Sequence, residues 1–172
     1  DMQKATTTTS SSLYSYVEVA LTLKDLEKML MHYRRTYEVI NISNKPIESV
    51  FHGITTDFPK SFDQLNLRIY DQDNNNLSIS SIRMDEPYQK EFITAFQQPI
   101  LSGQNLRYTL EYDIEEPNRY FENAFLTDCK KFVISIEYPN SSSAAISPII
   151  YDVNQETEEK KKLMALRPLI TG

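Results

Sequence analysis

The chain has 172 residues, no tryptophan, eleven tyrosines, one cysteine and a formal net charge of −6. This length is typical of one domain with tails, and it can bury a core without disulfides or a structural metal. The acidic charge argues against a nucleic-acid partner and an anionic membrane surface, because both attract basic proteins. No apolar run is long enough to insert into a membrane.

The N-terminal half alternates between apolar and polar residues after a short low-complexity segment. Residues 1–12 are rich in Thr and Ser and predict a flexible leader. Residues 14–23 predict the first strand, and residues 29–43 predict a long second strand. Within this second strand the apolar positions change from odd to even near Ile40, which predicts a bulge or a crossing between sheets. Residues 47–54 predict the third strand.

The middle of the chain predicts a hairpin. Leu65, Leu67 and Ile69 begin a strand, the sequence DQDNNN at 71–76 is a turn, and residues 77–84 return from it. A further strand is expected over 91–96.

The clearest strand is residues 105–114, NLRYTLEYDI, in which apolar and polar residues alternate without a break. Residues 132–138 and 149–153 complete the pattern. The predicted buried positions are Leu106, Leu110, Phe132, Ile134 and Ile136, together with the inward-facing tyrosines Tyr33, Tyr37, Tyr108, Tyr112, Tyr138 and Tyr151.

About nine strands at short spacing, with no helical period between them, predict an all-β fold. The specific expectation is a two-sheet antiparallel β-sandwich over residues 13–153. Crossover helices, which a parallel sheet would need, have no room in this sequence.

The segment LSGQNLRY is similar to the turn and strand that carry the tyrosine corner of immunoglobulin-like sandwiches. Tyr108 would be the corner residue. The resemblance covers eight residues, and the Cys and Trp that mark antibody domains are absent. It implies an immunoglobulin-like architecture and no function.

Residues 154–172 differ in kind and are expected to form a helical tail or linker. Acid-to-lysine pairs at helical spacing predict a short C-terminal helix from Glu156 to Leu166, which Pro168 ends. A helix this short is marginal alone, so it needs apolar contacts. Leu163, Met164 and Leu166 are therefore the candidate partner-contact residues.

Sequence motifs for chemistry are weak. The three glycines form no phosphate-binding loop. His32 and His52 lie on strands that could be neighbours, but no ligand spacing supports a zinc site with Cys129. DQDNNN lacks the Gly and Glu of an EF-hand loop. The acids of DIEEP, at 113–117, are expected to form a solvated connection, and Arg34 and Arg35 are expected to be exposed.

These observations predict a non-enzymatic β-sandwich module for protein–protein contact or interdomain relay in a larger or oligomeric protein. No catalytic residue, cofactor or metal site is expected, and the partner is a protein or a second copy. The alternative is a carbohydrate- or other ligand-binding extracellular module, motivated by the tyrosine content, and a hydrolase comes third. The single cysteine favours a reducing compartment, and an extracellular domain fragment stays open.

Overall fold

The computed structural model describes residues 11–120, 127–138, 149–153 and 160–165, with side chains for the first two ranges only. The chain divides into two compact units, Asp1–Glu137 and Tyr138–Gly172. The strands of the first unit are β1 (Ser12–Asp25), β2 (Leu30–Asn41), β3 (Ile47–Thr55), β4 (Arg68–Asp71), β5 (Ile79–Glu86), β6 (Gln89–Ile100), β7 (Asn105–Glu115) and β8 (Phe132–Glu137). None of the described segments is a helix long and apolar enough to cross a membrane.

The first unit contains two sheets that pack against each other. The large sheet has the strand order β4-β7-β2-β1-β8, and the small sheet has the order β3-β6-β5. Neighbouring strands are antiparallel except β1 and β8, which are parallel. The two-sheet sandwich expected from the sequence is confirmed, with this parallel pair as a departure from a purely antiparallel design.

The alternation in β7 places its even-numbered residues between the sheets, as expected. Tyr108, Leu110, Tyr112 and Ile114 are all buried. Alternation alone does not describe the outer face, however, because Asp113 is also buried. A carboxylate can be buried when hydrogen bonds replace its water, and Asp113 has such partners.

Aromatic rings join the two sheets. His52 of the small sheet lies 5.6 Å from the ring of Tyr108 and 6.2 Å from that of Tyr37, both of the large sheet. The rings of Phe96 and Tyr108 are 5.7 Å apart. Edge-to-face and tilted rings at these distances are favourable beyond their area burial, so the sheets are held by specific contacts as well as by apolar packing.

The expected parity change in β2 is wrong. The register of β2 against β7 is continuous, and the bulge near this end lies in β1, between Tyr14 and Tyr16. The inward position after Val39 is Asn41, which is fully buried. Its amide nitrogen donates to the carbonyl oxygens of Lys45 and Ile100, both at 2.7 Å. A satisfied amide therefore occupies the place that an apolar residue would take.

The expected hairpin around DQDNNN forms only next to the turn, where Asn76 makes an antiparallel bridge with Tyr70 and the Leu77 N–H donates to the Ile69 carbonyl at 2.9 Å. Beyond it the two strands separate. β4 pairs with β7 in the large sheet, whereas β5 pairs with β6 in the small sheet, so the turn connects the two sheets. The turn itself is confirmed. Asp71 Oδ1 accepts the backbone N–H groups of Asp73 and Asn75, both at 2.9 Å. This is an Asx turn, which needs no cation to hold its shape.

Among the described strands, β8 is at the edge of the large sheet, and its burial is lower than the sequence predicts. Phe132 is 40% exposed, so the expectation that it is buried is wrong. Ile134 and Ile136 are half-buried, as is Leu106 near the start of β7. Alternation identifies a strand but not its position in a sheet, and a strand beside one neighbour only has less cover than a central strand.

The second unit contains a two-stranded antiparallel sheet of β9 (Ile149–Val153) and β10 (Lys160–Ala165). The expected C-terminal helix is wrong for Lys160–Ala165, and the rest of that segment lies outside the described residues. Each acid–lysine pair in a helix contributes only about 0.2–0.5 kcal/mol. Pairing with β9 supplies backbone hydrogen bonds from a second segment, which a lone short helix lacks.

Candidate functional site

A cavity of about 410 Å³ lies at one end of the sandwich. We call this end the cavity end. Three connections form it: the β1–β2 turn, the loop after β3 and the loop after β7. The residues that line the cavity are Glu27, Lys28, Met29, Phe58, Glu115, Pro117 and Arg119. The lining therefore combines apolar groups with charges of both signs.

Two of the lining residues have an unusual backbone. Met29 has φ = 50° and Arg119 has φ = 54°, in the left-handed region that residues with a Cβ rarely adopt. Hydrogen bonds hold both loops through Glu116: its N–H donates to the Met29 carbonyl, and its carbonyl accepts the Arg119 N–H, both at 2.9 Å. Strained backbone of this kind is concentrated at functional sites, where the surrounding structure stabilises it.

An ion pair with Lys60 holds Glu115, one of the lining residues, in place. Lys60 Nζ lies 2.6 Å from Glu115 Oε2 and donates to Oε1 at 2.8 Å. The Lys60 backbone N–H donates to the Pro87 carbonyl at 2.8 Å, so the backbone that carries the Lys60 side chain is itself held in place. Because Lys60 neutralises Glu115, the positive charge of Arg119 in the lining is not cancelled by this acid.

Behind the cavity, Glu116 faces the interior and accepts a hydrogen bond from the Tyr33 hydroxyl. Burial raises the pKa of the Glu116 carboxyl, and the negative charge of Asp57 adds to the increase, while the Tyr33 hydrogen bond opposes it. Burial likewise raises the pKa of the Tyr33 phenol well above its usual value, and the Glu116 charge adds to this. The phenol therefore stays a donor at neutral pH.

Arg35 lies between the sheets beside this pair, so the expectation that it is exposed is wrong. Its Cζ is 5.5 Å from the centre of the Tyr33 ring, which stacks on Tyr112 at 5.0 Å. Burial would lower the pKa of Arg35, but the phenols of Tyr112 and Tyr37 outweigh it and raise that pKa. The guanidinium is thus a fixed positive charge inside the sandwich. The signal available in the sequence was its odd-numbered position between Tyr33 and Tyr37.

Sequence reasoning also missed Lys90, which is buried on the inner face of β6. Its ammonium donates to the Glu86 carbonyl, lies 2.9 Å from Asp85 Oδ1 and lies 5.8 Å from the centre of the Phe62 ring. The even-numbered residues from 90 to 96 of β6 are buried, so alternation along this strand would have predicted that position 90 is buried.

The two histidines do not meet. His32 lies on the outer face of the large sheet, with Nδ1 2.7 Å from Asp113 Oδ1 and Nε2 3.9 Å from Glu111 Oε1. His52 is buried on the inner face of the small sheet, where burial and the Arg35 charge lower its pKa to about 4. Their strands, which the sequence allowed to be neighbours, belong to different sheets.

The other candidate groups are also separate. Within residues 11–120 and 127–138, no three His, Cys, Asp or Glu side chains lie close enough to hold a metal. The Cys129 thiol donates to the Lys131 carbonyl at 3.4 Å, and burial raises its pKa, so the neighbouring lysines do not activate it. The acids of DIEEP are not a solvated run, since Asp113, Glu115 and Glu116 each have a different partner.

The surface tyrosines do not form a platform in the part of the chain described. Tyr16 and Tyr70 are covered by arginines, with Arg107 Cζ 5.2 Å and Arg68 Cζ 4.4 Å from the respective ring centres. Tyr88 is exposed near the cavity end, where its carbonyl accepts the Thr56 N–H.

The tyrosine corner is not formed as the resemblance implies. Tyr108 is buried between the sheets, and its hydroxyl bonds no backbone group among the described residues. The candidate contact residues Leu163 and Met164 lie in β10, without described side chains, and Leu166 lies outside the described residues. Their role stays a prediction.

No family model and no curated protein matches the sequence of this chain. Among solved structures, an M1 zinc metallopeptidase from Deinococcus radiodurans is 10% identical with a TM-score of 0.49, covering 91% of this chain and 39% of that chain. A putative protease from Parabacteroides distasonis is 15% identical with a TM-score of 0.45, covering 94% and 36%. The chain thus spans less than two fifths of either peptidase, and likenesses this weak carry no argument about activity.

Proposed function

We propose that this chain is a non-enzymatic β-sandwich module that contacts a protein partner, within a larger or oligomeric protein, through its cavity end. The observation that carries the proposal is the cavity whose lining includes Met29 and Arg119 in left-handed conformations. Phe58, which is 48% exposed, supplies an aromatic side chain at the rim. Aromatic and arginine side chains are enriched among the residues that dominate protein-binding energy.

Contact is favoured over catalysis by the state of the polar groups. Glu115 is engaged by Lys60, and Glu116 is turned towards Tyr33 in the interior. General acid–base chemistry needs a group within reach of a bound substrate, and both carboxylates already have protein partners. With Glu115 engaged and Glu116 turned inward, a lining of apolar groups and of charges such as Arg119 is better suited to receiving a complementary loop than to turning over a substrate.

A relay role follows from the connection between the rim and the interior. Backbone hydrogen bonds join Met29, Glu116 and Arg119, and the Glu116 side chain reaches Tyr33. A partner that shifts either left-handed residue would therefore disturb a bond within the sandwich. We also propose that Leu163, Met164 and Leu166 contact a partner, now from a strand-containing segment.

The second candidate is a ligand-binding module. The exposed ring of Tyr88 beside the cavity end favours it, because an exposed aromatic ring can stack on a sugar. A titration with glycans, followed by shifts of the amide signals near Tyr88, would distinguish a sugar from a protein partner.

The contact function can be tested with a photoreactive amino acid. We would place it at Phe58 in the full-length protein in its native cells, and at Ile42 as a control. Ile42 is also exposed and lies beyond β2, at the opposite end of the sandwich. We expect one discrete protein adduct from position 58 and none from position 42. The purified partner should then bind the wild-type chain at least about tenfold more tightly than Phe58→Ala.

Arg119→Glu provides a second variant, since it reverses a charge in the lining without removing an interior side chain. It should abolish the adduct at position 58. Equal adducts at both positions, or binding that is insensitive to both substitutions, would contradict the proposed surface.

A further inference from the structure

The edges of the two sheets differ in how well they are protected against pairing with another strand. Exposed edges are normally shortened, bulged or charged, because an open edge is a template for strand addition. In the large sheet the edge strands are β4, with four residues, and β8, with six. In the small sheet β5 has two register irregularities and carries Arg83, Asp85 and Glu86.

β3 is the exception. It has nine residues, and its only register irregularity is at its start, between Ile47 and Ser49. It contains no Lys, Arg or Pro, and its only charged side chain is Glu48. Within the described residues its single partner is β6, so one edge of its backbone is open.

The middle of β3 is exposed and apolar. Phe51 is 49% exposed and has small neighbours on its face, Ser49 and Gly53. A Cβ on Gly53 would lie 4.0 Å from Phe51 Cε1, so the ring leans over the glycine. A side chain from a facing strand would find space beside this ring.

We propose that β3 pairs antiparallel with β3 of a second copy, about a two-fold axis at Phe51. This register places Phe51 opposite its own copy and Ser49 opposite Gly53. A cross-strand aromatic pair is favourable, and the small residues on either side leave room for both rings. The inference concerns a different surface from the cavity end and does not depend on the function proposed for it.

The charge of β3 favours a second copy as the occupant. Glu48 falls opposite Ile54, so no like charges face each other. The two Glu48 side chains are six residues apart along the paired strands, which is roughly 20 Å. This exceeds the Debye length of about 8 Å at physiological salt, so their repulsion is screened. A two-fold interface uses the same surface on both copies, so that surface must be complementary to itself. In this register β3 places no like charges opposite each other and leaves room for both Phe51 rings.

Solution mass is the first test. Stable interfaces bury about 1,200–2,000 Å² and one strand pair buries less, so we expect association at micromolar to near-millimolar concentration. Sedimentation equilibrium of the full chain should show the mass doubling over that range. Phe51→Lys should abolish the doubling, because a lysine in the middle of an edge opposes pairing.

Ile82→Lys is the matched control. Ile82 is 54% exposed on β5, the protected edge of the same sheet, so its substitution should leave the doubling intact. A monomeric wild-type chain at every concentration, or equal loss in both variants with native circular dichroism, would overturn the proposal.

Disulfide trapping tests the register in a Cys129→Ser background. Residues facing each other across an antiparallel pair have Cα atoms about 4.5–5.5 Å apart, within the range of a disulfide. Phe51→Cys should form a covalent dimer on mild oxidation. Ser49→Cys and Gly53→Cys should cross-link when mixed and only slowly when separate. Fast cross-linking of Ser49→Cys alone, or of Gly53→Cys alone, would contradict the register centred on Phe51.

Discussion

Asp113 offers a direct test of how a carboxylate is stabilised in this fold. Its Oδ1 lies 2.7 Å from His32 Nδ1, and its Oδ2 accepts hydrogen bonds from Asn66 at 3.0 Å and from Lys24 at 3.4 Å. Lys24 is half-exposed, so solvent screens its contribution. Hydrogen bonds to a charged group contribute about 1.5–3 kcal/mol each, and bonds that share one acceptor do not add fully. We therefore expect Asp113→Ala to lower the free energy of unfolding by about 3 kcal/mol.

The pH dependence gives an independent check. Burial would raise the pKa of Asp113, but the hydrogen bonds from His32 and Asn66 and the charge of Lys24 outweigh it and lower that pKa below 3.8. An acid with a depressed pKa in the folded state stabilises the protein above its unfolded pKa. This stabilisation is lost as the pH falls through the folded pKa. The difference between wild type and Asp113→Asn should therefore shrink on acidification below about pH 4.

Urea unfolding at about pH 7 and about pH 3 would measure both effects. Asp73→Asn is the control, because Asp73 is exposed in the turn after β4. A loss under about 0.5 kcal/mol for Asp113→Ala would refute the assigned contacts. So would a difference between wild type and Asp113→Asn that is the same at both pH values.

Three further predictions follow from burial and charge. Leu110→Ala should lower the free energy of unfolding by about 2–5 kcal/mol, whereas Phe132→Ala at the edge should cost clearly less; similar losses in urea unfolding would contradict the assigned burial. Burial and Asp57 raise the pKa of Glu116, so its ionisation should lower the melting temperature as the pH rises above 4.5. Glu116→Gln, which cannot ionise, should show a smaller decrease in melting temperature over the same pH range. Removal of 155–172 should leave the sandwich folded but change its melting temperature or light-scattering mass, and no change in either would make the tail only a connector.

Local structure could be read from this sequence more reliably than sheet assignment. The alternation in β7 predicts both its limits and its buried face, because side chains on a strand point to alternate sides. The same alternation says nothing about which strand lies alongside. β4 and β5 were therefore expected to pair with each other, whereas they belong to different sheets.

The buried charged residues explain most of what was missed at the candidate site. Arg35 is an odd-numbered residue of β2, like the inward-facing Tyr33 and Tyr37. It was nevertheless expected to be exposed, because charged residues are rarely buried without partners. Its partners, the phenols of Tyr37 and Tyr112, come together only when the sheet is formed. The cavity end is likewise made by three connections distant in sequence, so no local pattern could indicate it.

The parallel pairing of β8 with β1 bears on how the protein is made. β1 and β2 are joined by a short turn and can pair as soon as both have left the ribosome. The other side of β1 pairs with β8, which ends only at Glu137, so that side stays open until more than 100 further residues have emerged. Non-local closure of this kind slows folding, and unpaired edges in partly folded chains promote aggregation. Truncations that end shortly before Phe132 should therefore be the least soluble fragments of this protein.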